Sequence, residues 1–354
     1  MNLFVVNTPL QLINAVEAKR HFDIRDEDSL LIVIYLEQRI MQMRESVEES
    51  EWAEVIWLES DEQALHRKNV TACTKIFNWI SGCLTFRKQV SGIQERWRKF
   101  SRVFLGNFLM TSQLHLANCS PFNDLILLDD GNATFEVAKL RNEFKSPLAI
   151  HRTIWGKVNY LIKQYIFKYR LNRIATVTFF TIYDLKVSEQ DRIENNTFRY
   201  LRTSVSMKTH NAEIWFIGAP LVEQSIVSLS DFCSLIDKVV EYYKGRKILY
   251  ILHPAENIMA TKNYLEHLGV ETIKFSLPLE MVFLKKQEMP ALLATFYSSA
   301  IYNLRLILGE EIECNSFRIG DNILSKQLSS KINNVYDQYE AMIGSKFKVI
   351  KLLL

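Results

Sequence analysis

Three short segments place reactive side chains at the ends of apolar runs. Leu125-Ile126-Leu127-Leu128 runs straight into Asp129-Asp130-Gly131-Asn132. Open α/β sheets place ligands at the carboxyl ends of their strands. Two adjacent acids there suit general-base work, because side chains alternate along a strand: one carboxylate can take a proton while the other caps the turn. Gly131 lets the backbone turn sharply beside a substrate. Tyr250-Ile251-Leu252 leads into His253-Pro254. A Pro at the first position of a helix puts His253 at the N-cap, where backbone N–H groups favour an anion. Its imidazole can donate to a phosphate oxygen or protonate a leaving group. Ala294-Thr295-Phe296-Tyr297 leads into Ser298-Ser299, whose hydroxyl and backbone N–H groups can meet one anion. Each segment also has a plainer reading: an acidic turn, a structural histidine, a helix cap. Together they supply a proton acceptor and donors for a phosphate.

Such residues need sheets to hold them, and the apolar pattern supplies two. Leu3 to Val6 form a short strand-like run, followed by Asn7-Thr8-Pro9-Leu10-Gln11. Thr8 is a good N-cap, Pro9 suits the first helical position, and Gln11 sits where a capping box closes. Leu12, Ile13 and Val16 continue at helical spacing. Further strands are expected at Leu30–Leu36, Glu54–Leu58, Val103–Leu105, Leu125–Leu128 and Val177–Tyr183. The second half repeats the alternation. Strands are expected at Ile214–Ile217, Lys247–Leu252, Thr272–Phe275 and Leu292–Tyr297. Helices fall between them at Ser230–Tyr243 and Ala255–Leu268, the latter ended by Gly269, and a last one runs from Ser299 to Leu308. The expected class is α/β with mainly parallel sheets. The boundary falls in the polar stretch Ser188–Asn211, giving domains 1–205 and 206–354.

The 354 residues carry a formal charge of +3, with 48% hydrophobic and 23% charged residues. That balance excludes wholesale disorder and an obligate nucleic-acid coat. The five cysteines show no CxxC spacing, so neither a zinc ribbon nor a thioredoxin-type site is legible. No P-loop, GxGxxG, HExxH or GxSxG motif appears, and Asp129-Asp130 lacks the Asp-x-Asp spacing of metal-dependent transferases. The N-terminal apolar run stops at Asn7, too short for a signal peptide, and no run spans a bilayer. A cytoplasmic protein is expected. The basic, aromatic stretch Trp155–Arg170 reads in two ways: an interfacial helix on an anionic membrane, or a core helix with snorkelling lysines. A second basic patch lies within Lys88–Arg102.

In this order and at these separations, the acid-acid-Gly, His-Pro and Ser-Ser segments resemble bacterial sialyltransferases of the polysialyltransferase and lipooligosaccharide-sialyltransferase group. Asn7-Thr8-Pro9-Leu10-Gln11-Leu12 looks like the group's opening strand–loop–helix. Ile217-Gly218-Ala219-Pro220 resembles its Gly-x-Pro segment, and Phe275-Ser276-Leu277-Pro278-Leu279-Glu280 a donor-side loop. The resemblance implies a GT-B fold of two Rossmann-like domains facing a central cleft, the first on the acceptor side and the second binding a CMP-sugar. It implies inverting transfer of sialic acid from CMP-sialic acid to a bacterial surface glycan (capsule or lipooligosaccharide), with no cofactor and no metal. Asp130 and Asp129 would then serve as base and partner, and His253 would act on the leaving phosphate. Thr8, Gly218, Pro254, Glu280, Ser298 and Ser299 would line the donor; Gln11, Gly131 and Asn132 would shape the acceptor side or its turn. One departure stands out: Leu221 follows Pro220 where the lipooligosaccharide enzymes carry an acid, and the nearest acid is Glu223. That shifts the base toward Asp129-Asp130. Other CMP-activated acids, Kdo or pseudaminic acid, remain open as donors, as does a non-catalytic glycan-binding protein on a transferase fold.

Overall fold

A computed structural model describes residues 1–352 except 67–70, 144–145, 151–152, 173–175, 254, 257, 326–327, 342–343 and 345. It divides into two compact units, Met1–Thr197 and Phe198–Leu354.

The first unit contains strands β1 (Asn2–Val6), β2 (Ser29–Tyr35), β3 (Glu54–Glu59), β4 (Phe100–Leu105), β5 (Phe122–Leu128), β6 (Thr178–Thr181) and β7 (Arg192–Asn195). Its helices are α1 (Pro9–His21), α2 (Ile40–Ser46), α3 (Gln63–His66), α4 (Ala72–Arg96), α5 (Thr111–Cys119), α6 (Asn132–Asn142) and α7 (Ile154–Tyr165). The strands form one parallel sheet in the order β3-β2-β1-β4-β5-β6-β7. Both faces are covered. Leu3, Val5, Leu30 and Ile32 pack into one apolar cluster, while Phe4, Val6, Leu31 and Val33 pack into the other. This is why these strands read as unbroken apolar runs instead of alternating ones.

The second unit holds helices α8 (Arg199–Ser206), α9 (Leu229–Tyr242), α10 (Ile258–His267), α11 (Leu279–Lys285), α12 (Ser299–Leu308) and α13 (Ser329–Ala341). Its strands are β8 (Thr209–His210), β9 (Ile214–Ile217), β10 (Ile248–Ile251), β11 (Glu271–Ile273), β12 (Glu288–Met289), β13 (Leu292–Thr295), β14 (Glu313–Arg318) and β15 (Phe347–Lys351). A parallel sheet runs β11-β10-β9-β13-β14-β15, and β8 pairs with β12 separately. Each unit is thus a Rossmann-like α/β layer.

One sequence expectation needs correction. The division falls at 197/198, not 205/206, because α8 belongs to the second unit. Arg202 on α8 donates to the carbonyls of Ile307 (3.0 Å) and Leu306 (2.7 Å), capping the C-terminus of α12. The polar stretch expected to hold the boundary does hold it, and it also contains β7, an edge strand paired with β6. Its sequence, Arg-Ile-Glu-Asn, has little apolar content because it borders solvent.

Candidate functional site

The neighbouring strands β1, β4 and β5 run into Asn7, Gly106-Asn107 and Asp129-Asp130, and these segments make one cluster in the first unit. Thr8 caps α1, its hydroxyl accepting the Gln11 amide at 3.3 Å, with Pro9 at the first helical position. Gln11 is fully buried, and its Oε1 accepts the Asn7 backbone N–H at 2.9 Å, one residue earlier than a capping box would reach. Gly106 at the end of β4 is required for this, since a Cβ there would collide with the Gln11 amide. Gln113 Nε2 donates to Asn7 Oδ1 at 2.9 Å, and its Oε1 accepts the Asn107 N–H at 2.8 Å.

The two acids at the end of β5 have different surroundings. Asp129 is 4% exposed; its Oδ2 accepts the Ile182 N–H at 2.9 Å, and its Oδ1 has no partner among the described residues. Burial pushes its carboxyl up to about 6, against the hydrogen bonds of Thr181, Ile182 and Thr134. The same bond to Ile182 explains why β6 stops at Thr181: the next N–H goes to a side chain, not to a strand. Asp130 is half-buried, and its Oδ2 accepts Asn107 Nδ2 at 2.7 Å. Burial raises its carboxyl as well, while Gln11 and Asn107 favour the ionised form. Gln11 Nε2 makes no bond of normal geometry, leaving a buried donor beside this carboxylate. Asp130 N–H is held by Thr134 Oγ at 2.9 Å. Gly131 has φ +59, a conformation that side chains resist, and it opens α6. Asn132 is the first residue of that helix; its side chain lies outside what is described.

In the second unit, Gly218 follows β9 and His253 stands two residues after β10, its neighbour in the sheet. Glu256 joins them. Its carboxylate accepts the Tyr250 hydroxyl at 2.7 Å and the backbone N–H of His253. A Cβ at Gly218 would lie 2.5 Å from Glu256 Oε2 and 2.7 Å from Tyr250 Cε1, so only glycine fits. Burial pushes Glu256 up to about 7, opposed by the Tyr250 and His253 bonds. The expected helix N-cap at His253 is corrected: α10 begins only at Ile258. A tight turn replaces it, in which Glu256 reaches back three residues as a capping-box glutamate does. His253 Nδ1 accepts the Ala255 N–H at 3.1 Å. With Nδ1 accepting, the neutral ring carries its proton on Nε2. Burial lowers its pKa, opposed by the charge of Glu223 and assisted by that of Lys274. Pro254 lies outside the described residues.

Ser298 caps α12, its Oγ accepting the Ala300 N–H at 3.2 Å. Its backbone N–H donates to the Tyr339 hydroxyl at 3.0 Å, and the same hydroxyl donates back to the Ser298 carbonyl. The expectation that Ser298 offers a backbone N–H to an anion is therefore corrected; its hydroxyl hydrogen is what it has to give. Ser299 is the first residue of α12, with its side chain outside the described set. Glu280, in the first turn of α11, accepts Asn303 Nδ2 of α12 at 3.2 Å, and burial raises its carboxyl.

The expected residues thus form two groups. Thr8, Gln11, Asp129, Asp130 and Gly131 follow β1 and β5, which flank β4 in the first sheet; Gly218, His253 and Ser298 follow β9, β10 and β13, which are neighbours in the second. Asn107, Gln113, Glu256 and Tyr339 were not foreseen. Asn107 had a signal, an apolar strand ending in Gly106-Asn107. Glu256 had one too, its three-residue spacing from His253. Tyr339, 41 residues from Ser298, had none.

Among the described residues, no group of three or more His, Cys, Asp and Glu could hold a metal. No curated protein sequence matches the chain. Solved structures similar to it include the spinosyn forosaminyltransferase SpnP (11% identity, TM-score 0.48, covering 99% of this chain and 85% of that one). UDP-GlcNAc 2-epimerase from Neisseria meningitidis bound to UDP-GlcNAc is similar at 10% identity and TM-score 0.49 (96% and 91% covered). The E. coli heptosyltransferase WaaC with ADP-2-deoxy-2-fluoro heptose is similar at 12% identity and TM-score 0.44 (96% and 100% covered). The family model of the alpha-2,8-polysialyltransferases matches residues 2–311, nearly the whole chain, and the protein belongs to that family.

Proposed function

We propose that this glycosyltransferase moves sialic acid from CMP-sialic acid to a hydroxyl of a bacterial surface glycan (capsule or lipooligosaccharide), with inversion at the anomeric carbon and without a metal or cofactor. The single observation that carries the reading is the unequal pair at the end of β5. Asp129 is sealed in with a carboxyl raised to about 6, while Asp130 is half-buried and hydrogen-bonded by Asn107. Asp130 is the base: it takes the acceptor hydroxyl proton as that oxygen attacks C2 of the sugar. The C2–O bond to CMP breaks, and its electron pair leaves on the phosphate oxygen. His253 Nε2–H in the second unit donates to that oxygen, and the Ser298 hydroxyl adds a second donor. Burial lowers the imidazole's pKa and the charge of Glu223 opposes this only in part, so the neutral ring with its Nε2–H is the donor in this reading.

A peripheral membrane contact belongs to the same reading. The stretch expected as either interfacial or core is divided. Lys163 is buried against Asp61 (3.0 Å) and Glu62 (2.8 Å), but Ile154, Trp155, Tyr165 and Ile166 are more than half exposed. Among the described residues, no helix is long and apolar enough to cross a membrane. An exposed apolar face beside Lys157 and Lys168 suits an anionic lipid surface.

The test is CMP release from CMP-sialic acid, CMP-Kdo and CMP-pseudaminic acid in EDTA, with CMP binding read by thermal unfolding. CMP at a hundredfold excess over its Kd should stabilise the protein by about 2.7 kcal/mol. Release should be fastest from CMP-sialic acid. Strict dependence on Mg²⁺ or Mn²⁺ would overturn the metal-free reading, and preference for another CMP-sugar would reassign the donor. Binding without turnover on any donor would favour a glycan-binding protein on a transferase fold.

A further inference from the structure

One cavity in the first unit takes no part in the chemistry above. It measures about 320 Å³, within the range of pockets that hold small ligands. Tyr35, the last residue of β2, and Trp57 of β3 supply aromatic surface, with ring centroids 6.3 Å apart and planes tilted by 59°. Glu59 ends β3 beside them. Gln63 and Ala64 of α3 line it too, and α4 adds Asn78, Gly82, Thr85 and Gln89. These fall at helical spacings of four, three and four, one polar stripe along the helix. The core face of the same helix carries Trp79, Cys83 and Phe86, of which Phe86 also borders the cavity. Asn78 and Gly82 are half-buried while Thr85 and Gln89 are exposed, so the stripe leads from the cavity floor out to solvent and offers polar groups along an open path. Asp61 also lines the cavity and is 1% exposed. Its Oδ2 accepts the Tyr169 hydroxyl at 2.8 Å and faces Lys163, but its Oδ1 has no partner among the described residues.

We propose that this cavity is a saccharide subsite for a neutral sugar residue of the acceptor glycan, a proposal that rests on the glycan-transfer reading above. A pyranose has hydroxyls on its edges and apolar C–H faces. Amides, hydroxyls and carboxylates serve the first, and aromatic rings serve the second. The charge chooses among sugars. Glu59 and the unpartnered oxygen of Asp61 repel a sugar carboxylate. No Lys or Arg is among the described lining residues; Arg44 stacks on Trp57 at 5.0 Å without lining the cavity. Sialic acid is excluded on these terms, whereas a hexose is accepted. In the strand order, β2 stands three places from β5, which at roughly 4.8 Å per strand puts the cavity roughly 14 Å from Asp130. The subsite therefore grips the acceptor's uncharged stem, away from the hydroxyl that reacts.

Saturation-transfer NMR on the whole chain, without donor, tests this with lactose and with an α2,8-linked sialic acid trimer as probes. Lactose should receive saturation, and the trimer at equal concentration should not displace it. Trp57→Ala should weaken lactose binding at least tenfold. Because Trp57 also packs against the core, Ser81→Phe, on the exposed side of the cavity wall, gives an independent block and should weaken it equally. Absence of lactose binding in the parent, unchanged binding in Ser81→Phe, or displacement by the trimer would each overturn the proposal. CMP release by the parent in the absence of acceptor tells the two readings apart. Release without lactose binding removes the subsite alone, and lactose binding without release removes the donor assignment alone.

Discussion

Asn107 Nδ2 donates to Asp130 Oδ2 at 2.7 Å, and its own Oδ1 accepts the N–H groups of Leu109 (2.8 Å) and Met110 (3.1 Å). The amide is thus fixed on one edge by the chain that follows β4, and its free edge holds one oxygen of the carboxylate. One Asp130 oxygen is occupied and the orientation of the other is set. A carboxylate so held, serving as the proposed base, would not have to be ordered at the moment of reaction.

Asp130→Asn preserves this shape and removes the proton acceptor, so turnover should fall by roughly 10²–10⁴-fold with CMP affinity near that of the parent. Asn107→Ala leaves the carboxylate but removes a donor that favours its ionised form. The acid limb of its rate profile should move to higher pH. Initial rates from pH 4 to 9 check both. Full turnover in Asp130→Asn, with loss in Asp129→Asn or Glu223→Gln, would move the base elsewhere.

Asp129 makes an unusual prediction about stability. Its folded pKa, about 6, lies above the ordinary 3.8, so the folded state disfavours its ionised form. The contribution is full below about pH 4 and is lost as pH rises through about 6. At about 1.4 kcal/mol per pH unit, that is on the order of 3 kcal/mol. Glu256, raised from 4.5 to about 7, acts in the same direction and completes its loss somewhat higher. Urea unfolding at pH 5 and pH 8 should show the parent more sensitive to this rise than Asp129→Asn or Glu256→Gln. Equal pH dependence in all three would show that neither carboxyl is displaced.

Much of the scaffold was legible because these sheets are buried on both faces. Apolar runs such as Leu30 to Ile34 and Ile214 to Ile217 have no other use, and where such a run gives way to polar residues, as at Leu128-Asp129, it marks the strand's carboxyl end, the edge at which open α/β sheets place ligands. Local chemistry was legible too: Thr8 and Ser298 cap the helices that their positions predict. The failures were non-local or edge effects. β7 and β15 border solvent and lack a long apolar run. Arg202 moves α8 into the second unit through carbonyls about a hundred residues away. The His253 turn was misread because a proline after a polar residue suggests a helix start, whereas Glu256 closes a turn there first.

Gly218 should tolerate no side chain. In Gly218→Ala the new Cβ would meet Glu256 Oε2 at 2.5 Å, Tyr250 Cε1 at 2.7 Å and the Ile251 carbonyl at 2.9 Å. The last is strand backbone and cannot move away cheaply. A cost of about 1–3 kcal/mol is expected, together with weaker CMP binding, because the displaced Glu256 no longer holds the His253 N–H. Glu256→Gln retains the volume and an acceptor for that N–H, so it should bind CMP almost as the parent does. Calorimetric titration with CMP checks both, and normal affinity in Gly218→Ala would sever His253 from the phosphate.

Ser298 and Tyr339 should separate stability from donor binding. The buried Tyr339 hydroxyl accepts the Ser298 N–H and donates to the Ser298 carbonyl, so Tyr339→Phe strands two backbone groups at once. Each buried polar group left unsatisfied costs about 1–3 kcal/mol, and the melting temperature should drop accordingly. Ser298→Ala removes only the α12 cap, typically about 1 kcal/mol, but it also deletes the hydroxyl assigned to the leaving phosphate. It should therefore be the milder variant in melting and the harsher one in CMP affinity, losing about one hydrogen bond of 0.5–1.5 kcal/mol in binding. The measurements are thermal melting and CMP titration of both variants beside the parent. If Ser298→Ala binds CMP normally while Tyr339→Phe, still folded, does not, the phosphate is held by the helix backbone and not by this hydroxyl.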